Sequence, residues 1–145
     1  MQLLIASPCQ MVLTDKESGY GHSLIAVFHD FTIRIPESAE VPINALLPKE
    51  WAIFSKWRIE ASEEGKVIKL LCEAFWPNGD VLFKTETIAS EIMHNQTAFV
   101  IRNLGFPMGQ DGLVKVVLSI FVADELAHEP VEIEINVRVQ KDLHA

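Results

Sequence analysis

From residue 131 to residue 139 the chain alternates strictly: Val131, Ile133, Ile135, Val137 and Val139 are aliphatic, and Glu132, Glu134, Asn136 and Arg138 between them are polar. Successive side chains of a β-strand point to opposite faces, so this run predicts a strand with one dry and one wet side. Five aliphatic side chains on one side require a second layer to cover them. The same period recurs upstream. Ile68, Leu70, Cys72, Ala74 and Trp76 share one parity, as do Val114, Val116, Leu118, Ile120 and Val122. Val117 and Phe121 make the other side of the latter strand partly apolar and predict a central position for it.

Trp51, Ile53, Trp57, Ile59 and Ala61 occupy one parity, with Lys56, Arg58 and Glu60 on the other. Pro48 and the spacing of Trp51, Phe54 and Trp57 by three also fit a short helix. The two-residue rule accounts for more positions and is preferred. Further strands are predicted within residues 3–13, over 23–35, over 81–88 and over 97–106. In the second of these Ile25, Val27, Phe31, Ile33 and Ile35 share a face. Pro8 lacks an amide hydrogen, which suits an edge or a bulge.

Candidate turns fall at residues 15–21, 36–48, 62–65, 77–80, 107–112 and 124–130. Asn78-Gly79 is the strongest of them, because a type I′ hairpin turn needs two residues that tolerate positive φ. This cadence predicts one domain over residues 1–145: an all-β, antiparallel, two-sheet β-sandwich of about eight strands, Ig-like or C2-like in style. No linker or repeat divides it.

The 145 residues are 49% hydrophobic and 22% charged, an ordinary globular composition. The formal charge of −8 comes with basic residues scattered singly. Phosphate backbones and anionic membranes would be repelled, which argues against nucleic-acid or membrane partners. The N-terminus is apolar for four consecutive residues, Leu3 to Ala6, and has no basic leader. It reads as neither signal nor span, and a cytoplasmic location is expected. Cys9 and Cys72 match no metal spacing and are expected to be buried free thiols. Asn95-Gln96-Thr97 fits a glycosylation acceptor but has no secretory context.

Chemistry is sparsely marked. His22, His29, His94, His128 and His144 stand far apart, in no zinc spacing. His29, on the parity of Val27 and Phe31, is a ligand or base candidate, or a packed ring bonded to a carbonyl. There is no GxSxG or SxxK motif, and the glycines of residues 105–112 lack the Lys-Ser/Thr of a phosphate-binding loop. Asp15, Glu17, Asp80, Asp111, Asp124 and Glu125 lie in turns, where carboxylates hold calcium only if six or more oxygens converge. Trp51, Trp57 and Trp76 are core residues or a platform for sugars or peptides. Phe106 and Met108, at the tip of the glycine-bearing loop, are an anchor for a partner protein if exposed, or a plug over the end of the sandwich.

Residues 9–28, with Leu24-Ile25-Ala26-Val27-Phe28, then Pro36, Pro42, the Pro77-Asn78-Gly79 hairpin and the late strand over 112–122, resemble a family of small bacterial proteins of unknown function across most of the chain. The resemblance implies a bacterial β-sandwich with no recognised catalytic residue and transfers no site. The expected function is a non-catalytic protein-interaction or scaffolding module that binds a protein partner or itself, as a homodimer joined by a sheet face or edge. The strand over 131–139 and the Pro8 strand are the edges to watch. The alternative is a carrier of a sugar or calcium, and the third reading is a hydrolase without a motif. No cofactor, metal ligand or catalytic residue is assigned.

Overall fold

A computed structural model describes residues 1–15, 21–89, 92 and 94–142. Its strands are β1 (Gln2–Asp15), β2 (Gly21–Val27), β3 (Asp30–Pro36), β4 (Leu46–Arg58), β5 (Ile68–Phe75), β6 (Val81–Ile88), β7 (Gln96–Pro107), β8 (Gly112–Val122), β9 (Glu125–Leu126) and β10 (Val131–Asp142). The fold is an all-β, two-sheet sandwich, with ten strands instead of the expected eight. Among the described residues the one helical turn is 3-10, over Ala61–Glu63. The segment from Trp51 is strand, as its parity predicts.

One sheet runs β2-β1-β4-β7 and the other β3-β10-β8-β5-β6, with β9 paired to β8. Every pairing is antiparallel except that of β3 with β10, which is parallel and departs from the wholly antiparallel expectation. β8 is central, as its apolar second face suggests. The strands picked out as edges are not edges over their full length: β10 lies between β8 and β3, and β1 between β2 and β4. Among the described residues the end strands of the two sheets are β2, β7, β3 and β6.

The sheets meet over side chains of the predicted parities. Trp51, Ile53 and Trp57 of β4 and Phe99 and Ile101 of β7 face Leu70, Cys72 and Ala74 of β5, Val116 and Leu118 of β8, and Ile133 and Ile135 of β10 in one buried cluster. Each buried aliphatic side chain contributes about 1.5–3 kcal/mol relative to exposure. Polar groups drawn in with them are bonded: the Trp51 indole N–H donates to the Gly105 carbonyl at 2.8 Å and that of Trp57 to Ser55 Oγ at 3.0 Å.

The predicted long strand over 23–35 is two strands in different sheets. Ala26 takes a φ of 53° and Phe28 turns inward, its ring 5.7 Å from that of Phe106 and 5.9 Å from that of Phe31. Ile33 and Ile35 therefore reach the core while Ile25 and Val27 stay at the surface. Asn78-Gly79 also differs from expectation. Gly79 alone has positive φ, and its N–H donates to the Trp76 carbonyl at 2.8 Å. Pro77 presets an ordinary turn, which a glycine bulge then closes. Paired positive φ values occur instead at His94 (50°) and Asn95 (58°), before β7, and at Ala123 (49°) and Asp124 (65°), between β8 and β9.

Candidate functional site

The most distinctive surface is built by the first hairpin. β1 pairs with β4 as far as Cys9 opposite Ala52, then parts from it and pairs with β2 from Cys9 opposite Val27 to Asp15 opposite Gly21. Pro8 stands at the changeover. Its carbonyl accepts from the Phe28 N–H at 3.4 Å, but it has no N–H to return, so the ladder with β2 stops there. Beyond the left-handed Ala26 the hairpin lies across the outer surface of its own sheet. Val12 and Leu24 pack on Cys9, Ala52 and Phe54 and on Ala98 and Val100 of β7, forming a second small core.

His22 completes that contact. Its ring lies tilted 47° to Phe54 with centroids 5.0 Å apart, and its Nδ1 is buried without a partner. Burial first, and then the charge of Lys56, hold the imidazole below its ordinary pKa.

The opposite side of the hairpin is apolar as well. Met11 lies directly across from Ile25, Leu13 shares their parity along the same ladder, and the three are between 42% and 49% exposed. The two faces lie on opposite sides of a two-stranded ribbon, and only one is covered. The sequence pattern placed Ile25 and Val27 on one face with Phe31, Ile33 and Ile35 and left Met11 and Leu13 unassigned. The available signal was that Leu24 and Ile25, like Val12 and Leu13, place apolar residues on both parities of one hairpin.

Phe106, a candidate anchor, is fully buried, its ring 4.4 Å from Phe31 and 5.5 Å from Trp51. It closes the sandwich and offers a partner nothing. Met108 is half-buried and donates its N–H to the Ala45 carbonyl at 3.0 Å. It lines a shallow depression of about 380 Å³ with Ile35, Val41 and Val139, beside Glu40, Asp111 and Lys141. The loop beyond it is tied down on both sides: Gln110 donates to the Ile43 carbonyl at 3.1 Å and accepts from the Asn78 N–H at 3.0 Å.

The remaining candidates do not converge. His29 is exposed and is not a packed ring; its backbone carbonyl accepts from the Asn136 N–H at 2.7 Å. His94 is exposed, and the ring of His128 packs against Trp57 at 5.4 Å. His144, Glu17 and the interior of the 15–21 turn lie outside the described residues. Cys9 and Cys72 are buried free thiols. Burial, and then the charge of Glu73, pushes Cys72 up to about 12. Trp51, Trp57 and Trp76 are all buried, which leaves no open tryptophan platform.

The turn carboxylates have local partners. Asp80 bonds to Asn78, Asp111 accepts from the Val139 N–H, and Asp124 lies 3.6 Å from Lys69. Among the described residues no three His, Cys, Asp or Glu side chains are grouped so as to hold a metal ion.

No protein-family model matches the chain, and no curated protein matches it. Among the described residues no helix is long and apolar enough to cross a membrane.

Proposed function

We propose that this protein is a non-catalytic interaction module whose gripping surface is the outward side of the β1–β2 hairpin. The observation that carries the reading is the Met11–Ile25 pair, flanked by Leu13, half-exposed on a ribbon whose reverse is already buried. Clustered apolar side chains on a soluble domain gain from being covered. The free edge of β2 adjoins them, so an extended apolar segment of a partner protein can add a strand there and lay alternate side chains on the patch. The test is affinity capture from native cells with the wild-type chain and with a Met11→Lys, Ile25→Lys variant. A partner held by the first and released by the second supports the reading. Equal retention by both, with unchanged melting, counts against it.

A second reading, a small-ligand carrier, is favoured by the depression around Met108, which combines an aliphatic floor with Glu40, Asp111 and Lys141. A sugar and calcium panel that raises the melting temperature of the wild type, but not of a Met108→Trp variant, would support it.

A further inference from the structure

β6 ends the five-strand run of its sheet, with β5 its one strand neighbour among the described residues. The Ala89 N–H donates to the Ile68 carbonyl at 2.9 Å, continuing the β5–β6 ladder in which Lys69 faces Ile88. Backbone groups alternate in direction along a strand. Thr85 and Thr87 therefore turn their N–H and C=O groups toward β5, and Lys84, Glu86 and Ile88 turn theirs away from the molecule. Lys84 and Glu86 also share the exposed face of the sheet, because they stand opposite Glu73 and Leu71 of β5, whose flanking neighbours Leu70, Cys72 and Ala74 point into the core.

From this placement we infer that β6 is a self-complementary edge, on which a second copy of this chain adds antiparallel about a two-fold axis through Thr85. The argument is one of register. Only a two-fold centred on a residue of β6 sets outward-turned groups opposite outward-turned groups. Centred on Lys84 it opposes Lys84 to Lys84, and centred on Glu86 it opposes Glu86 to Glu86. Centred on Thr85 it places Lys84 of each copy opposite Glu86 of the other, twice, as hydrogen-bonded backbone pairs. The same register brings Ile88, 63% exposed, to the Leu82 end of the other copy. An isolated lysine on an edge strand repels intruding strands. Here the glutamate two residues on reverses that effect for a single partner, the chain itself, and the two sheets become one continuous sheet across the axis. This surface is separate from the β1–β2 hairpin, and the inference goes beyond the reading given for it.

The experiment is light scattering after size exclusion, up to submillimolar concentration, on the wild type and on variants at exposed β6 positions. The wild type is expected to move from the 16.3 kDa of one chain toward twice that mass with rising concentration. Lys84→Glu alone and Glu86→Lys alone each set like charges opposite one another twice and are expected to weaken the dimer roughly tenfold or more. The double exchange restores it, and so does an equimolar mixture of the two single variants, in which each chain complements the other. A wild type that stays monomeric overturns the inference, as does a dimer indifferent to both single variants or a mixture that fails to associate. The Met11→Lys, Ile25→Lys variant should dimerise normally, which separates failure here from failure of the hairpin reading.

Discussion

The His22 ring rests on Phe54 with centroids 5.0 Å apart, joining the tip half of the first hairpin to the outside of the sheet from which it sprang. Burial and Lys56 hold the imidazole below its ordinary pKa of 6.5. The folded chain thus binds fewer protons at His22 than the unfolded chain over the interval between the two values. The stabilisation from the neutral ring is complete above the unfolded value and is lost as pH falls through the folded one. His22→Phe keeps the ring contact and removes the titration. Its melting temperature is therefore expected to fall less than that of the wild type between neutral and mildly acidic pH, as differential scanning calorimetry can measure. Parallel profiles would contradict this.

The two thiols report on two cores. Cys72 lies between the sheets, with its pKa pushed up to about 12, and Cys9 lies under the hairpin, raised by burial against the opposing effect of the Met11 backbone. A thiolate is the reactive form, so neither should be labelled by a thiol reagent in the native state, and both should be in denaturant. Between these extremes Cys9 is expected to react first, at denaturant concentrations where tryptophan fluorescence is still native, because fewer contacts cover the hairpin than the main core. Simultaneous labelling would mean that the hairpin does not open independently.

Gly109 has a steric reason to be glycine. A Cβ there would overlap the backbone carbonyls of Pro42 and Ile43, against which the loop after β7 is seated. Backbone cannot yield as a side-chain tip can, so Gly109→Ala should cost about 1–3 kcal/mol in urea unfolding. Gly21→Ala, where the added methyl meets nothing within 4 Å, is the control. Equal midpoints for the two variants would show that the segment over residues 36–45 moves aside freely.

Strands β5 and β10 were legible because one side of each faces a dry core and the other is more open to water, and period two records that contrast directly. In β4 both faces are covered from Trp51 to Ser55, and the predicted continuation to Ala61 is a 3-10 turn. The break between β2 and β3 was not legible. Ile25, Val27, Phe31, Ile33 and Ile35 keep one parity throughout, and a single left-handed alanine redirects the chain without changing the pattern. The turn at Ala123-Asp124 was anticipated only from Asp124 onward, because an alanine at positive φ carries no turn signature. The hairpin surface was missed for a related reason. Alternation marks which residues are apolar, but it cannot tell an inner face from an outer one once a ribbon folds over its own sheet. The edges were hidden too, since pairing of β3 with β10 depends on groups far apart in the sequence.

That pairing bears on how the molecule is made. Asn136 Nδ2 donates to Asp30 Oδ1 across 106 positions of sequence, at the start of the one parallel ladder. On a ribosome, the segment carrying Phe31, Ile33 and Ile35 emerges long before the strand that will receive it. Closing so large a loop is entropically late, and the nascent chain keeps a greasy ribbon without a berth through most of its synthesis. The apolar face of β3, a seven-residue strand, therefore stays without its strand neighbour until β10 has been made.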